Sequence, residues 1–231
     1  MAEKQSGYRD YSSGDIAAYS VTEASRYVRI PAPTLRTWVD GQSYGEQSMR
    51  SPFLPLLDAP EYNPTRLSFN NLIEVFTLRA LRTKHGISIG AAREAMGVAQ
   101  QYYQIDRLFL RPEDLRTQAG KLFLKKYGEL VNLNRSCQLA MEKVLNDSLE
   151  RIELDDSNLP IRLFPMAGDT NRVIAIDPSI AFGRPFIVRN GISTIAIIDR
   201  LNANEDEEEI AEDYGLLPEE MKQAIIYEQA A

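Results

Sequence analysis

One cysteine and one histidine are all that this chain of 231 residues carries. Cys137 alone cannot form an intrachain disulfide, which suits a reducing compartment and leaves no disulfide framework. Cys137 and His85 lie far apart in the sequence, so a His/Cys zinc site within one chain is excluded. A nucleophilic triad would have to use His85, which sits in TKHGIS beside a glycine at an expected helix end, where a cap is the ordinary reading. No GxxxxGK[ST] or GxGxxG run is present to cradle phosphates. No apolar run approaches the ~20 residues that cross a bilayer. The polar opening MAEKQSGYRDYSSGD lacks the apolar stretch of a secretory signal. These absences point to a cytoplasmic protein, off the membrane, with no catalytic residue, no metal and no cofactor. A carboxylate-only metal site is not removed by counting.

Positive charge is also scarce, but unevenly so. The net charge is −7. Residues 1–150 hold 19 Lys and Arg against 17 Asp and Glu, whereas residues 151–231 hold 7 against 16. The acidity therefore belongs to the C-terminal third, and the first part is free to approach phosphates. Hydrophobic residues make up 44% of the chain, enough for real cores.

The pattern along the chain predicts an α+β fold, mainly helical. Residues 1–18 read as a disordered polar tail. Ser20-Val21-Thr22-Glu23 has the form of a capping box, opening a helix with Val21, Ala24 and Val28 on one face. After the turn IPAP, TLRTWV places Leu35 and Trp38 on one face of a second helix, ended by Asp40-Gly41. Residues 41–66, rich in Gly, Pro and Ser, read as a β-hairpin with a loop. Ser68 caps a helix whose apolar positions are Phe69, Leu72, Ile73, Phe76 and Leu81, stopped by Gly86, and Ser88 opens a fourth helix. DRLFL, GKLFLKK and ELVNL read as short elements separated by turns, with KKYGEL as a hairpin turn. SCQLAMEKVLNDSL reads as a helix and RIELDDSNLPIRLFPM as a hairpin through Asp156, Ser157 and Asn158. Together these give a small α+β module over 105–168, with AGDTN as a linker. From Arg172 come two short strands, VIAID and FIV, joined by the FGRP turn, then three helices over GISTIAIIDRL, NEDEEEIAEDYG and LPEEMKQAIIYEQAA. Asn204 is the expected cap of the second of these, with Glu207 reciprocal.

A helix-turn-helix needs a small residue where its second helix crosses the first, and polar side chains facing the major groove. Ala24 supplies the first, and Thr34, Arg36 and Thr37 the second. Arg can pair with guanine O6 and N7 or with phosphate. YSVTEASRYVRIPAPTLRTWVDG, followed by LSFNNLIEVFTLRALRTKHGISIGAAREAM, resembles the MerR-like winged helix-turn-helix over about residues 19–100, within a domain expected to span 19–104. The resemblance implies DNA contacts from Arg26, Arg29, Thr34, Arg36 and Thr37, and from Ser43, Tyr44 and Arg50 on the wing. Four features depart from that family, one of them a wing longer than usual. Arg29 stands where a Gly is usual, the second helix opens at prolines, and no coiled-coil dimer helix or cysteine-rich effector segment follows.

The last segment, 172–231, also has a three-helix, helix-turn-helix look, with Ala211 and Gly215 four apart and Met221, Ala224 and Ile225 on one face. Glu205 to Glu209 would repel phosphates, so a protein contact fits this domain better than nucleic acid. IDPSIAFGRPFIVRNGISTIAIIDRLNANEDEEEIAEDYGLLPEEMKQAI resembles domain of unknown function 433, by its Asp-Pro, its FGRP and its EEIAEDYGL. Members of that family occur as VapB-type antitoxins that neutralise PIN-domain ribonuclease toxins. The resemblance implies an antitoxin that binds such a toxin and represses its own operon at promoter DNA, as a homodimer. Gly183 suits a tight turn and Pro185 stiffens it. Arg184 is expected to hold Asp177. The other reading sends Arg184 or Arg189 into the acidic site of the partner nuclease. Two alternatives stay open: a MerR-like regulator without a toxin, dimerising through its C-terminal part, and a carboxylate-dependent hydrolase.

Overall fold

The computed structural model describes residues 13–41, 54–85, 89–166 and 171–229. It is an α+β fold, rich in helix, with three small sheets among the described residues. The first described element is a 3-10 turn at Ser13–Asp15. The expected start of structure at Tyr19 is therefore corrected for residues 13–18. Gly14 is buried, and Asp15 meets Arg107 at 2.7 Å. This anchor depends on a residue far along the chain, so local composition could not show it.

Strand β1 (Tyr19–Ser20) leads into helix α1 (Val21–Tyr27), and helix α2 (Ala32–Asp40) follows a tight turn. The capping box forms as its residues dictate. The Glu23 amide donates to Ser20 Oγ at 3.2 Å, and the Ser20 amide to Glu23 Oε2 at 2.9 Å, a cap of about 1 kcal/mol. Strands β2 (Glu61–Tyr62) and β3 (Thr65–Leu67) make a hairpin, and β1 adds to its other edge in the order β1-β3-β2, all antiparallel. The hairpin expected over 41–66 is thus shorter and later. Residues 42–53 lie outside the described residues.

Helix α3 (Phe69–His85) runs through the centre. Ser68 caps it, with Asn71 in the place of the reciprocal Glu: each side chain accepts the other's amide, at 3.1 and 3.2 Å. The five apolar positions read from the sequence are buried, and so are Val75, Leu78, Asn71, Glu74 and Thr77. Burial on every side brings polar side chains inward: Asn71 Nδ2 donates to Glu74 Oε2 at 3.0 Å, whereas Thr77 Oγ1 has no hydrogen-bond partner among the described residues. Glu74 is met by Arg107 Nε and Nη2, both at 2.8 Å.

Helix α4 (Ile89–Tyr103) packs on a helix that the sequence had suggested was a hairpin. After a 3-10 turn at Leu108–Leu110, the chain forms α5 (Pro112–Arg116), α6 (Gln118–Leu130) and α7 (Arg135–Leu149). In α6, Ala119 and Gly120, Phe123 and Leu124, and Tyr127 and Gly128 are buried at helical spacing. Gly128, read as the KKYGEL turn, is a close-approach residue: a Cβ there would lie 2.5 Å from Gln138 Nε2 of α7. The β4 (Ile152–Leu154) and β5 (Pro160–Leu163) hairpin forms as expected. Its turn is held by Asp155 Oδ1, which accepts from the amides of Ser157 and Leu159, with Asn158 left-handed at φ +60°.

The C-terminal unit comprises β6 (Ile174–Ala175), β7 (Phe186–Ile187), α8 (Thr194–Asn202), α9 (Glu207–Tyr214) and α10 (Pro218–Gln229). Asp206, not Asn204, caps α9, accepting from the Glu208 amide at 2.8 Å. Asn204 is instead left-handed at φ +62° in the preceding turn. One apolar core runs from Tyr19 to Leu163 and takes in Ile176, so the sequence boundary at 104/105 does not divide cores. A second core gathers Ile174, Ile187, Ile197, Ile210, Met221 and Tyr227. Among the described residues no helix is long and apolar enough to cross a membrane.

Candidate functional site

The crossing of α1 and α2 rests on Ala24, Leu35 and Val39, each at 0% exposure, and on Trp38. The turn between them closes through the Ile30 amide to Ser25 O at 2.9 Å. Arg29 sits there at φ +54°, the left-handed region that favours glycine. Its side chain turns inward. The guanidinium lies 5.2 Å from the centroid of the Tyr227 ring, and Nη2 donates to Tyr227 O at 3.4 Å. Arg26 is half-buried, with its guanidinium 5.4 Å from the Tyr27 ring.

Helix α2 begins at Pro31 without a side-chain cap. Its outward face carries exposed Pro33 and Arg36, with Thr34 and Thr37 half-exposed. Thr37 Oγ1 donates to Pro33 O at 3.0 Å. Its proton is thereby committed, and the hydroxyl faces outward as an acceptor, suited to a base amino group rather than to a phosphate. The far end of α2 is fixed to the hairpin, where Thr65 Oγ1 donates to Asp40 Oδ1 at 2.9 Å, and to the segment before it, where the Leu56 amide donates to Trp38 O at 2.7 Å. Thr34, Arg36 and Thr37 are thus brought together on one rigid helix, while Arg26 and Arg29 are drawn toward the body of the protein. Ser43, Tyr44 and Arg50 lie outside the described residues.

The FGRP turn lies against this helix pair. Ala181, Phe182 and Gly183 are all left-handed, with φ of +48°, +56° and +75°. A Cβ on Gly183 would fall 2.3 Å from the Tyr19 hydroxyl oxygen. That hydroxyl is buried without a hydrogen-bond partner among the described residues. Burial, with the charges of Tyr27, Asp177 and Glu23, pushes its pKa well above the usual phenol range. Burial raises the Glu23 carboxyl, but the two Ser20 hydrogen bonds, with Arg66 and Arg184, outweigh it and hold the carboxyl low. Arg184 therefore works near α1. The expected Arg184–Asp177 pair is corrected: Asp177 is taken by Arg162 Nη2 at 2.9 Å, and Arg162 also meets Glu153 at 3.3 Å. Arg189 grips Glu220 through Nε at 2.8 Å and Nη2 at 2.7 Å, and also donates to Gly215 O.

Three features escaped the sequence reading. Phe182 is 93% exposed. Tyr227 of α10 is buried and donates its hydroxyl hydrogen to Tyr27 O at 3.0 Å, tying the last helix to the first. Between α9 and α10 runs an open groove of about 430 Å³ floored by Met221 and Ile225. Its signal in the sequence is weak, one further apolar residue, Ile226, beside the face of Met221, Ala224 and Ile225. Among the described residues no group of three or more His, Cys, Asp or Glu side chains could hold a metal ion.

Residues 174–227, which carry the FGRP turn and the three C-terminal helices, match the family described as protein of unknown function (DUF433). Along nearly its whole length the chain is similar to the protein named "Putative antitoxin VapB45" of Mycobacterium tuberculosis (strain ATCC 25618 / H37Rv). The two are 27% identical over 230 residues, spanning 91% of this chain and 93% of that one. The X-ray crystal structure of Rv2018 from Mycobacterium tuberculosis shares the fold, with a TM-score of 0.66 at 22% identity, over 91% of this chain and 98% of that one.

Proposed function

We propose that this chain is an antitoxin without catalytic activity of its own, which binds and inhibits a PIN-domain ribonuclease and represses its own operon. The observation that carries the reading is the similarity, over 91% of the chain, to the protein named "Putative antitoxin VapB45". The α1–α2 pair with its hairpin acts as a winged helix-turn-helix of the MerR-like kind, presenting Thr34, Arg36 and Thr37 to the major groove. A homodimer sets two such helices on the two half-sites of an operator. The acidic C-terminal unit, repelled by phosphates, is left to face protein. The protein acts in the cytoplasm.

Two assays test it. Expression of the small gene beside this one should arrest growth, and co-expression of this chain should restore it. The purified chain should shift its own promoter fragment in a gel. Arrest without rescue would falsify the antitoxin reading, and a promoter that never shifts removes the repressor half.

A further inference from the structure

Resting on the antitoxin reading, we propose that the groove between α9 and α10 is the toxin-docking site, and that its occupant is a basic, amphipathic helix of the partner. Ala211 of α9 and Met221, Ile225 and Ile226 of α10 give the groove an apolar floor and edge. Ile226 is 40% exposed there, although α10 buries Tyr227 and Ala224 on its opposite side. Residues 218 to 226 span about 12 Å of helix, or roughly two turns, a length suited to anchors at i and i+4 of a helix laid in a groove.

The rim decides the chemistry of the occupant. Glu207 and Glu208 stand on the α9 side, and among the described residues Lys222 is the one cation lining the groove. Neighbouring acids are already neutralised, Glu220 by Arg189 and Asp213 by Arg200. Glu207 and Glu208 form no ion pair among the described residues and remain available to a cation. A second copy of this unit would bring the same two carboxylates against each other, in a stretch holding 7 basic and 16 acidic residues. Self-association through this face is therefore disfavoured, and a partner helix with Lys or Arg flanking its apolar stripe is favoured.

The test uses the full chain and the small PIN-domain ribonuclease that the antitoxin reading expects to be encoded beside it, with affinity measured by calorimetry at low and high salt. Ile226→Asp and the double variant Glu207→Lys/Glu208→Lys should each weaken the complex by about tenfold or more. The double variant should also flatten the salt dependence. Leu217→Asp, at an exposed position outside the groove, should bind as the parent does. Each variant should keep the parent's thermal midpoint and promoter shift, which separates lost docking from lost folding. If the parent binds and both groove variants bind equally well, the groove is not the site and the antitoxin reading stands alone. If the parent does not bind, both fall. A parent dimer that Ile226→Asp converts to monomer would assign the groove to a second copy and overturn the proposal.

Discussion

Arg29 and Arg36 carry the same charge on neighbouring stretches of chain, and the fold uses them in opposite ways. Arg36 stands exposed on α2, while Arg29 lies over the Tyr227 ring. Arg36→Ala should therefore cost about 1–3 kcal/mol of operator affinity and leave thermal stability unchanged, as read by fluorescence anisotropy and calorimetry. Arg29→Ala should lower stability by about 1 kcal/mol through the lost cation–π contact. A variant of Arg29 that lost operator affinity with full stability would return it to the DNA face. At Gly183 the backbone is left-handed and Tyr19 crowds the missing Cβ. Gly183→Ala should cost more than about 1 kcal/mol in urea unfolding. A neutral result would mean that Tyr19 moves aside freely.

Elements were legible where their cause is local. The Ser20–Glu23 box and the Ser68 cap are short-range hydrogen bonds that appear where the residues predict them, and the turn expected at Asp156, Ser157 and Asn158 forms with Asp155, one residue earlier, as its acceptor. Helix α6 was not legible, because Gly120 and Gly128 look like turn signals until α5 and α7 are seen pressing on them. The outward face of α2, with Thr34, Arg36 and Thr37, could be read from spacing. The inward turn of Arg29 could not, since its partner is about two hundred residues away. Helix α10 begins on a similar long-range contact. Glu220 accepts from the Leu217 amide at 2.8 Å and pairs with Arg189. The hydrogen bonds from Arg189 outweigh burial, and with the Leu217 amide they hold the carboxyl below its ordinary 4.5. A lowered carboxyl contributes stability that is complete above its unfolded value and fades as pH falls through the folded one. The gap in urea midpoint between the parent and Glu220→Gln should therefore be constant near neutrality and close below about pH 4.5. A gap that persists in acid would place the origin of the stability elsewhere.

At the scale of the molecule, charge and packing divide differently. The charge changes sign near residue 150. The first core continues past that point to Leu163 and Ile176, and Arg162 joins β5 to Asp177 beyond it. The FGRP turn then closes back on Tyr19, and Tyr227 on Tyr27. These contacts should make heat unfolding a single transition in which loss of near-UV and far-UV signal coincide. Two resolved transitions would show that the C-terminal unit melts by itself.

The Tyr227–Tyr27 contact has a thermodynamic consequence. One side of α10 borders the groove, and the other holds the carbonyl that precedes the turn into α2. If α2 reads DNA as proposed, a groove ligand that shifts α10 and, through Tyr27, the turn into α2 would alter DNA affinity, and DNA would alter that ligand's affinity by the same factor. The sign of the effect is open to measurement, but the equality of the two factors is not. Tyr227→Phe, which removes the hydroxyl and little else, is the substitution expected to bring both factors toward one.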